Sequence, residues 1–123
     1  MIHLSAERIF LYREAVDMRK GYDGLIGVVK TVLKENPLSG AYFVFLNGPR
    51  NRIKVLYWDK DGFAVWMKRL ESGSFALPEA DSKGKQIIDR TLLLMLLEGL
   101  KKVKRTKRFR LNDDAALVAA VGD

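Results

Sequence analysis

The chain has 123 residues, a formal charge of +7 and no cysteine. This length with 48% hydrophobic residues is enough for one folded domain, and the lack of cysteine excludes disulfides and zinc–thiolate sites. No apolar run reaches the roughly 18–20 residues that a membrane span requires, and the N-terminus does not read as a secretory signal, so we expect a cytoplasmic protein with no membrane partner.

The first predicted elements are a short strand at Ile9–Tyr12 and an amphipathic helix of about three turns that ends at Asn36-Pro37, because proline lacks the N–H donor. Asp17 and Arg19 lie in the turn between them. They form an ion pair, cap the helix, or belong to a functional surface. The apolar stripe of the helix consists of Tyr22, Leu25, Ile26, Val29, Val32 and Leu33.

Three strands are predicted next, at Tyr42–Leu46, Arg52–Trp58 and Phe63–Leu70, with turn residues between them. A further short edge strand is expected at Phe75–Leu77, followed by a polar loop over Glu79–Lys85. These runs predict a compact antiparallel sheet.

The turn between the last two long strands decides which side chains share a face. We expect a three-residue loop with Gly62 in the left-handed conformation, which pairs Asp59 with Phe63. Trp58 and Trp66 then lie on one face. A two-residue turn at Asp61-Gly62 would shift the pairing and change the faces.

A second helix is predicted from about Arg90 to Leu100, with Asp89 as its N-cap. Its leucines lie on more than one face of the helix, so the helix is either mostly buried or binds a partner with its second face. The fold class predicted for residues 1–100 is therefore one α+β domain, an antiparallel sheet of four to five strands packed by two helices. A basic C-terminal extension over residues 101–123 follows.

The positive charge is concentrated in that extension. Residues 101–110 read KKVKRTKRFR, and without their seven cations the chain has 15 basic and 15 acidic residues. Seven phosphate contacts would give a log–log salt slope of about −6. The alternatives are a solvated tail or contact with an acidic protein. The seven cations are Lys101, Lys102, Lys104, Arg105, Lys107, Arg108 and Arg110.

A second candidate site is the face that carries Trp58 and Trp66 with Lys54, Lys68 and Arg69. Tryptophans can stack on unpaired bases while lysines hold the backbone, a contribution of roughly 1–3 kcal/mol per base. The structural alternative is that helices cover this face and the lysines emerge at its rim. In the preceding loop, Arg50 and Arg52 are candidate phosphate contacts.

No pattern points to catalysis or to a metal site. The only histidine is His3, and the chain has no cysteine nucleophile, no Gly-x-Ser-x-Gly and no phosphate-binding loop. Asp59 and Asp61 are explained by turn formation more simply than by a divalent cation. We therefore predict no enzyme activity, no metal and no cofactor.

Several short segments occur in a characteristic order along the chain. They are Asp17–Gly21, Asp23–Leu25, Pro37–Gly40, Phe43–Phe45, Lys54–Trp58, Asp61–Phe63, Lys68–Glu71, Gly73–Phe75 and Leu96–Gly99. In this order and spacing, they resemble the accessory proteins of insertion sequence 66 elements, the TnpB-type product of the second reading frame. The resemblance covers roughly residues 9–100 and ends after Gly99. It implies a bacterial mobile-element protein that acts in transposition beside a separate, larger transposase, in a family with no assigned catalytic reaction.

The resulting hypothesis is a non-catalytic accessory factor in transposition that binds DNA, the transposase or both. The alternative is a protein-interaction module that docks the transposase without meaningful DNA affinity. A third hypothesis is a general RNA- or nucleoid-binding protein. The sequence does not indicate an oligomeric state.

Overall fold

A computed structural model describes residues 8–79 and 84–98. The basic extension lies outside the described residues. The elements in chain order are β1 (Ile9–Ala15), α1 (Tyr22–Val28), β2 (Tyr42–Leu46), β3 (Arg52–Asp59), β4 (Gly62–Arg69), β5 (Lys85–Ile88) and α2 (Arg90–Leu97). A turn of π-helix at Val29–Leu33 continues α1.

The five strands form one sheet in the order β4-β3-β2-β1-β5. The predicted α+β class, with five strands and two helices, is confirmed. The sheet is mostly antiparallel, as predicted, but it is mixed, since β1 and β2 are parallel while the other neighbours are antiparallel. The reason is that α1 connects β1 to β2. The connection brings the chain back to the end of the sheet where β1 began, so β2 runs in the same direction as β1.

The first helix begins at Tyr22, after the N-cap Gly21, and departs from the predicted apolar stripe. The Asp17 carboxylate accepts from Arg19 before the helix and does not cap it. The π turn widens the spiral, and Val29 and Leu33 are buried while Tyr22 and Val32 are each 52% exposed. The predicted stripe is therefore wrong at these two exposed positions.

The fifth strand lies at Lys85–Ile88, not at Phe75–Leu77. Phe75 is buried in the core, and its N–H donates to the carbonyl of Arg50 over 2.6 Å, outside any strand. In β5, Ile88 pairs with Ile9 of β1. The predicted edge strand at Phe75 is wrong because this segment is held by one backbone bond to a loop instead of a ladder to a neighbouring strand.

Each face of the sheet has its own helix and its own core. Buried residues of the α2 side are Ile9, Leu11, Tyr42, Val44, Leu46, Ile53, Val55, Phe75, Ile88, Leu93, Leu96 and Leu97. Those of the α1 side are Phe10, Val16, Leu25, Val29, Leu33, Ala41, Phe43, Phe45 and Leu56. All five residues of the central strand β2 are buried, as expected for a strand covered on both faces.

The predicted start of α2 is confirmed. The Asp89 carboxylate accepts a hydrogen bond of 2.8 Å from the N–H of Leu92, which satisfies one of the free donors in the first turn. The last described helical residue is Leu97, followed by Glu98.

The predicted register of the β3–β4 hairpin is wrong by one residue. Asp59 pairs with Gly62, and the loop has two residues, Lys60 and Asp61. Lys60, and not Gly62, takes the left-handed conformation, with φ of 60°. Because side chains alternate along a strand, this shift of one residue moves every side chain of β4 to the opposite face.

Candidate nucleic-acid interface

The corrected register separates the two tryptophans. Trp66 pairs with Val55 and lies on the α2 side of the sheet. Trp58 pairs with Phe63 on the α1 side, where their ring centroids are 5.0 Å apart in a T-shaped contact. The expectation that both tryptophans share a face is therefore wrong, and a base cannot stack on the two together.

The two lysines of the predicted face also lie on opposite sides, and each holds a neighbouring element. The Lys54 ammonium donates to the carbonyls of Met18 and Lys20, both over 2.8 Å. The Lys68 ammonium donates to the carbonyl of Leu97 over 2.9 Å, at the C-terminal end of α2. Because each ammonium has three donors, both lysines retain capacity for another acceptor, but their positions are set by these backbone contacts.

Arg52 and Arg69 form the exposed basic pair of the hairpin. They are direct cross-strand partners, so their side chains leave the same face of the sheet, on the α1 side. Like charges in this arrangement destabilise a sheet. Glu71 accepts a 2.9 Å hydrogen bond from Arg69, whereas no ion pair or side-chain hydrogen bond of Arg52 is found within the described residues. The pair is thus arranged to gain from an external anion.

A polar loop before β3 presents a third arginine. The Asn47 side-chain oxygen accepts from the N–H groups of Asn51 and Arg52, each over 3.0 Å, and its amide donates to the Asn51 side chain over 2.7 Å. This Asx-type turn fixes the loop. Within it, Arg50 is exposed with φ of 59°. The order of the loop therefore comes from Asn47, and the side chain of Arg50 points away from a hydrophobic core.

Beside the Arg52–Arg69 pair, the surface forms an open cleft of about 360 Å³. Four of its lining residues are basic and one is acidic, and two methionines provide apolar surface. This combination of cations and polarisable apolar groups suits a ligand with phosphates and exposed base or sugar surface. We name it the basic cleft, and its lining residues are Met18, Arg52, Ile53, Lys54, Met67, Lys68, Arg69 and Glu71.

The turn beside the basic cleft contains the predicted ion pair. The Arg19 guanidinium donates to both carboxylate oxygens of Asp17, with a shortest distance of 2.7 Å. These hydrogen bonds lower the pKa of Asp17 from 3.8 to about 2. The ion-pair interpretation is confirmed, and the carboxylate is ionised at neutral pH. Since Lys54 binds the carbonyls of the same turn, the turn forms a fixed wall of the cleft.

In residues 8–79 and 84–98, no three His, Cys, Asp or Glu side chains are grouped closely enough to hold a metal ion. Asp59 is the last residue of β3, and Asp61 lies in the tight hairpin loop that follows. The N–H of Asp61 donates to the carbonyl of Asp59. Neither of the two described helices has the length and apolar character needed to cross a bilayer.

The structure brings together only part of the predicted site. Arg52, Lys54, Lys68 and Arg69 line the basic cleft, Arg50 lies in the adjoining loop, and the two tryptophans lie on opposite faces. The seven cations of residues 101–110 are outside the described residues, and their binding of nucleic acid stays a prediction. Sequence reasoning missed Met18 and Met67, because only the correct hairpin register puts Met67 on the face of Lys54.

Comparisons with known proteins agree with the resemblance found in the sequence. The family described as IS66 Orf2 like protein matches residues 7–108. The prediction that the match ends after Gly99 is therefore wrong, since it continues into the basic extension. Two proteins of Sinorhizobium fredii (strain NBRC 101917 / NGR234) are similar. Uncharacterized protein y4jC is 38% identical over 58% of this chain and 61% of its own length. Uncharacterized protein y4hO is 37% identical over 76% of this chain and 80% of its own length. No solved structure matches.

Proposed function

Because the chain belongs to the IS66 Orf2-like family, we propose that it is a non-catalytic accessory protein in transposition of an insertion sequence 66-type element. Its ligand in this proposal is DNA, bound through backbone phosphates, and its protein partner is the element's transposase. Phosphate contacts position a protein on DNA without reading its sequence. Specificity for element ends would then come from the transposase.

The Arg52–Arg69 pair is the observation that carries the DNA proposal. Two guanidinium groups leave neighbouring strands on one exposed face, at the open basic cleft, and only Arg69 has a carboxylate partner within the described residues. A phosphate placed between them would remove the mutual repulsion and accept bidentate hydrogen bonds. Arg50 extends this surface into the loop before β3.

The remaining basic groups have different parts in the proposal. Lys54 and Lys68 raise the positive potential of the cleft while their ammonium groups hold backbone carbonyls. Residues 101–110 supply most of the sequence-independent affinity, since they contain the whole excess of positive charge. Phe109 adds one aromatic ring that can stack on a base.

The test is a titration of duplex and single-stranded DNA from the element ends at several salt concentrations, with binding measured by fluorescence anisotropy. Deletion of residues 101–110 should reduce the magnitude of the log–log salt slope by about 6, and Arg52→Gln with Arg69→Gln should reduce it by about 1, because the pair shares one phosphate and each neutralised phosphate contributes about 0.9 for duplex DNA.

A matched control is Lys30→Gln with Arg90→Gln, which removes the same charge from exposed positions in the two helices. This variant should keep the salt slope of the unchanged protein. Equal slopes for the control and the Arg52/Arg69 variant would contradict a role for the basic cleft. If the intact protein has no DNA affinity at low salt but binds the transposase, the interaction-module hypothesis replaces the proposal.

A further inference from the structure

The outer edge of β4 is the longest unpaired backbone surface in the described part of the chain. The sheet order places β4 at one end and β5 at the other. β5 has four residues, whereas β4 has eight, from Gly62 to Arg69. β4 contains no proline and pairs with β3 without a bulge. It therefore lacks two of the features by which proteins block pairing at a sheet edge, a proline and a bulge, and its charged residues lie only at its end.

The hydrogen-bond pattern identifies which backbone groups point outward. The N–H of Leu70 donates to the carbonyl of Asn51 over 2.8 Å, which continues the β3–β4 ladder beyond Arg69. In an antiparallel ladder, every second residue bonds to the neighbouring strand. Counting back from Leu70, the even-numbered residues of β4 bond to β3. The residues whose N–H and C=O groups point away from the sheet are Phe63, Val65, Met67 and Arg69.

The charges along this edge favour an antiparallel copy of the same strand. The turn that begins β4 carries Asp59, Lys60 and Asp61, a net charge of −1, and its end carries Lys68, Arg69 and Glu71, a net charge of +1. An antiparallel second copy brings the basic end of each strand beside the acidic turn of the other. A parallel copy brings like charges together, which is destabilising.

We propose that two copies of this chain pair through β4, antiparallel, about a two-fold axis at Trp66, so that their sheets become continuous. This proposal does not depend on the proposed function. The pairing places Phe63 opposite Arg69 of the second copy and Val65 opposite Met67 of the second copy, so all four outward-facing residues of each strand form hydrogen-bonded pairs.

Side chains along the edge support the same register. Met67 is 61% exposed, and it gains an apolar neighbour in Val65 of the second copy. Trp66, which is half-buried, lies opposite its equivalent, and aromatic cross-strand pairs stabilise sheets. A two-fold axis perpendicular to the sheet keeps corresponding faces on the same side, so both basic clefts face the same direction.

The first test is sedimentation equilibrium of the full chain across a range of concentrations. We expect a dimer with twice the 14.0 kDa chain mass. Met67→Pro removes an outward donor without touching the β3–β4 ladder, whereas Met67→Ala keeps that donor. The proline variant should have a dimer dissociation constant at least about tenfold higher than the alanine variant. Circular dichroism establishes that both variants fold.

Cysteine cross-linking tests the register without a proline. The natural chain has no cysteine, so Val65→Cys and Met67→Cys can be made separately and mixed under oxidising conditions. Hydrogen-bonded partners have Cα atoms about 5.5 Å apart, which suits a disulfide. The mixture should therefore cross-link faster than either variant alone.

Three results would overturn the proposal. A chain that remains monomeric at all concentrations has no such dimer. Equal dissociation constants for the folded Met67→Pro and Met67→Ala variants would place the interface elsewhere. Cross-linking of Val65→Cys with itself as fast as the mixture would exclude this register. A chain that remains monomeric and whose β4 edge pairs only with the transposase would likewise contradict the dimer.

Discussion

Two pairs of basic residues lie on the same hairpin and have opposite surroundings. Lys54 and Lys68 end on backbone carbonyls, the first at the turn before α1 and the second at the end of α2. Arg52 and Arg69 are exposed next to each other, and within residues 8–79 and 84–98 only Arg69 has an acidic partner. All four line the basic cleft.

The difference shows that a positive charge in a sequence indicates a ligand site only after its acceptors have been identified. Backbone carbonyls at a turn or a helix end need donors, and a long lysine side chain can reach them from a neighbouring strand. The lysines connect elements of the fold. Within the described residues, the Arg52 side chain has no hydrogen-bond acceptor, and Arg69 donates only to Glu71, so the pair retains donors for an external anion.

The largest expected effect is on stability, from Lys54→Met. This change keeps the apolar stem but leaves the carbonyls of Met18 and Lys20 without their ammonium donor. Two hydrogen bonds from a charged group are lost, so the free energy of unfolding should fall by about 2–3 kcal/mol. Urea denaturation followed by tryptophan fluorescence measures it, with Lys30→Met as an exposed control that should change little.

DNA binding by the Lys54→Met variant further tests the difference between the lysine pair and the arginine pair. The salt slope of DNA binding should change less in this variant than in Arg52→Gln, because Lys54 is proposed to act mainly in the fold. A variant with unchanged stability and a large loss of DNA affinity would reverse the assignments of the lysine and arginine pairs.

A smaller effect, of opposite sign, is expected from Arg52→Gln. Removing one of two facing guanidinium groups relieves their repulsion, so the free energy of unfolding should rise by about 0.5 kcal/mol at low salt. The gain should disappear at 1 M salt, where charges are screened within about 3 Å. Denaturation at both salt concentrations measures it. A loss of stability at low salt would mean that Arg52 makes a stabilising contact in the free protein.

The parts of the fold that were predictable depend on local residue patterns. The apolar run at Tyr42–Leu46 predicted β2, and Asp89 before a leucine-rich run predicted the start of α2. The parallel pairing of β1 with β2 was not predictable in this way, because it depends on where the chain returns after α1. The strand at Lys85–Ile88 was missed because its four residues become a strand only by pairing with β1.

The turn between β3 and β4 decides which side chains share a face in the candidate site. Glycine at position 62 favoured a left-handed conformation there, but Lys60 takes that conformation instead. The resulting shift separates Trp58 from Trp66 and brings Met67 to the face of Lys54. The exposed arginines were predictable as charges, whereas the opposing position of Arg52 and Arg69 required the register. The acceptors of Lys54 and Lys68 belong to distant parts of the sequence, so no local pattern identifies them.

The smallest expected effect concerns the Asp17–Arg19 ion pair in the turn that Lys54 holds. Because the pKa of Asp17 is lowered from 3.8 to about 2 in the folded protein, the pair stabilises the fold above pH 3.8 and loses that contribution as the pH falls toward 2. Carbon-detected NMR titration of the Asp17 carboxyl should show this low value, and Arg19→Gln should return it toward 3.8. Arg19 is 91% exposed, so solvent and salt screen the interaction. If Asp17 titrates near 3.8 in the unchanged protein, the turn is held by Lys54 without help from this ion pair.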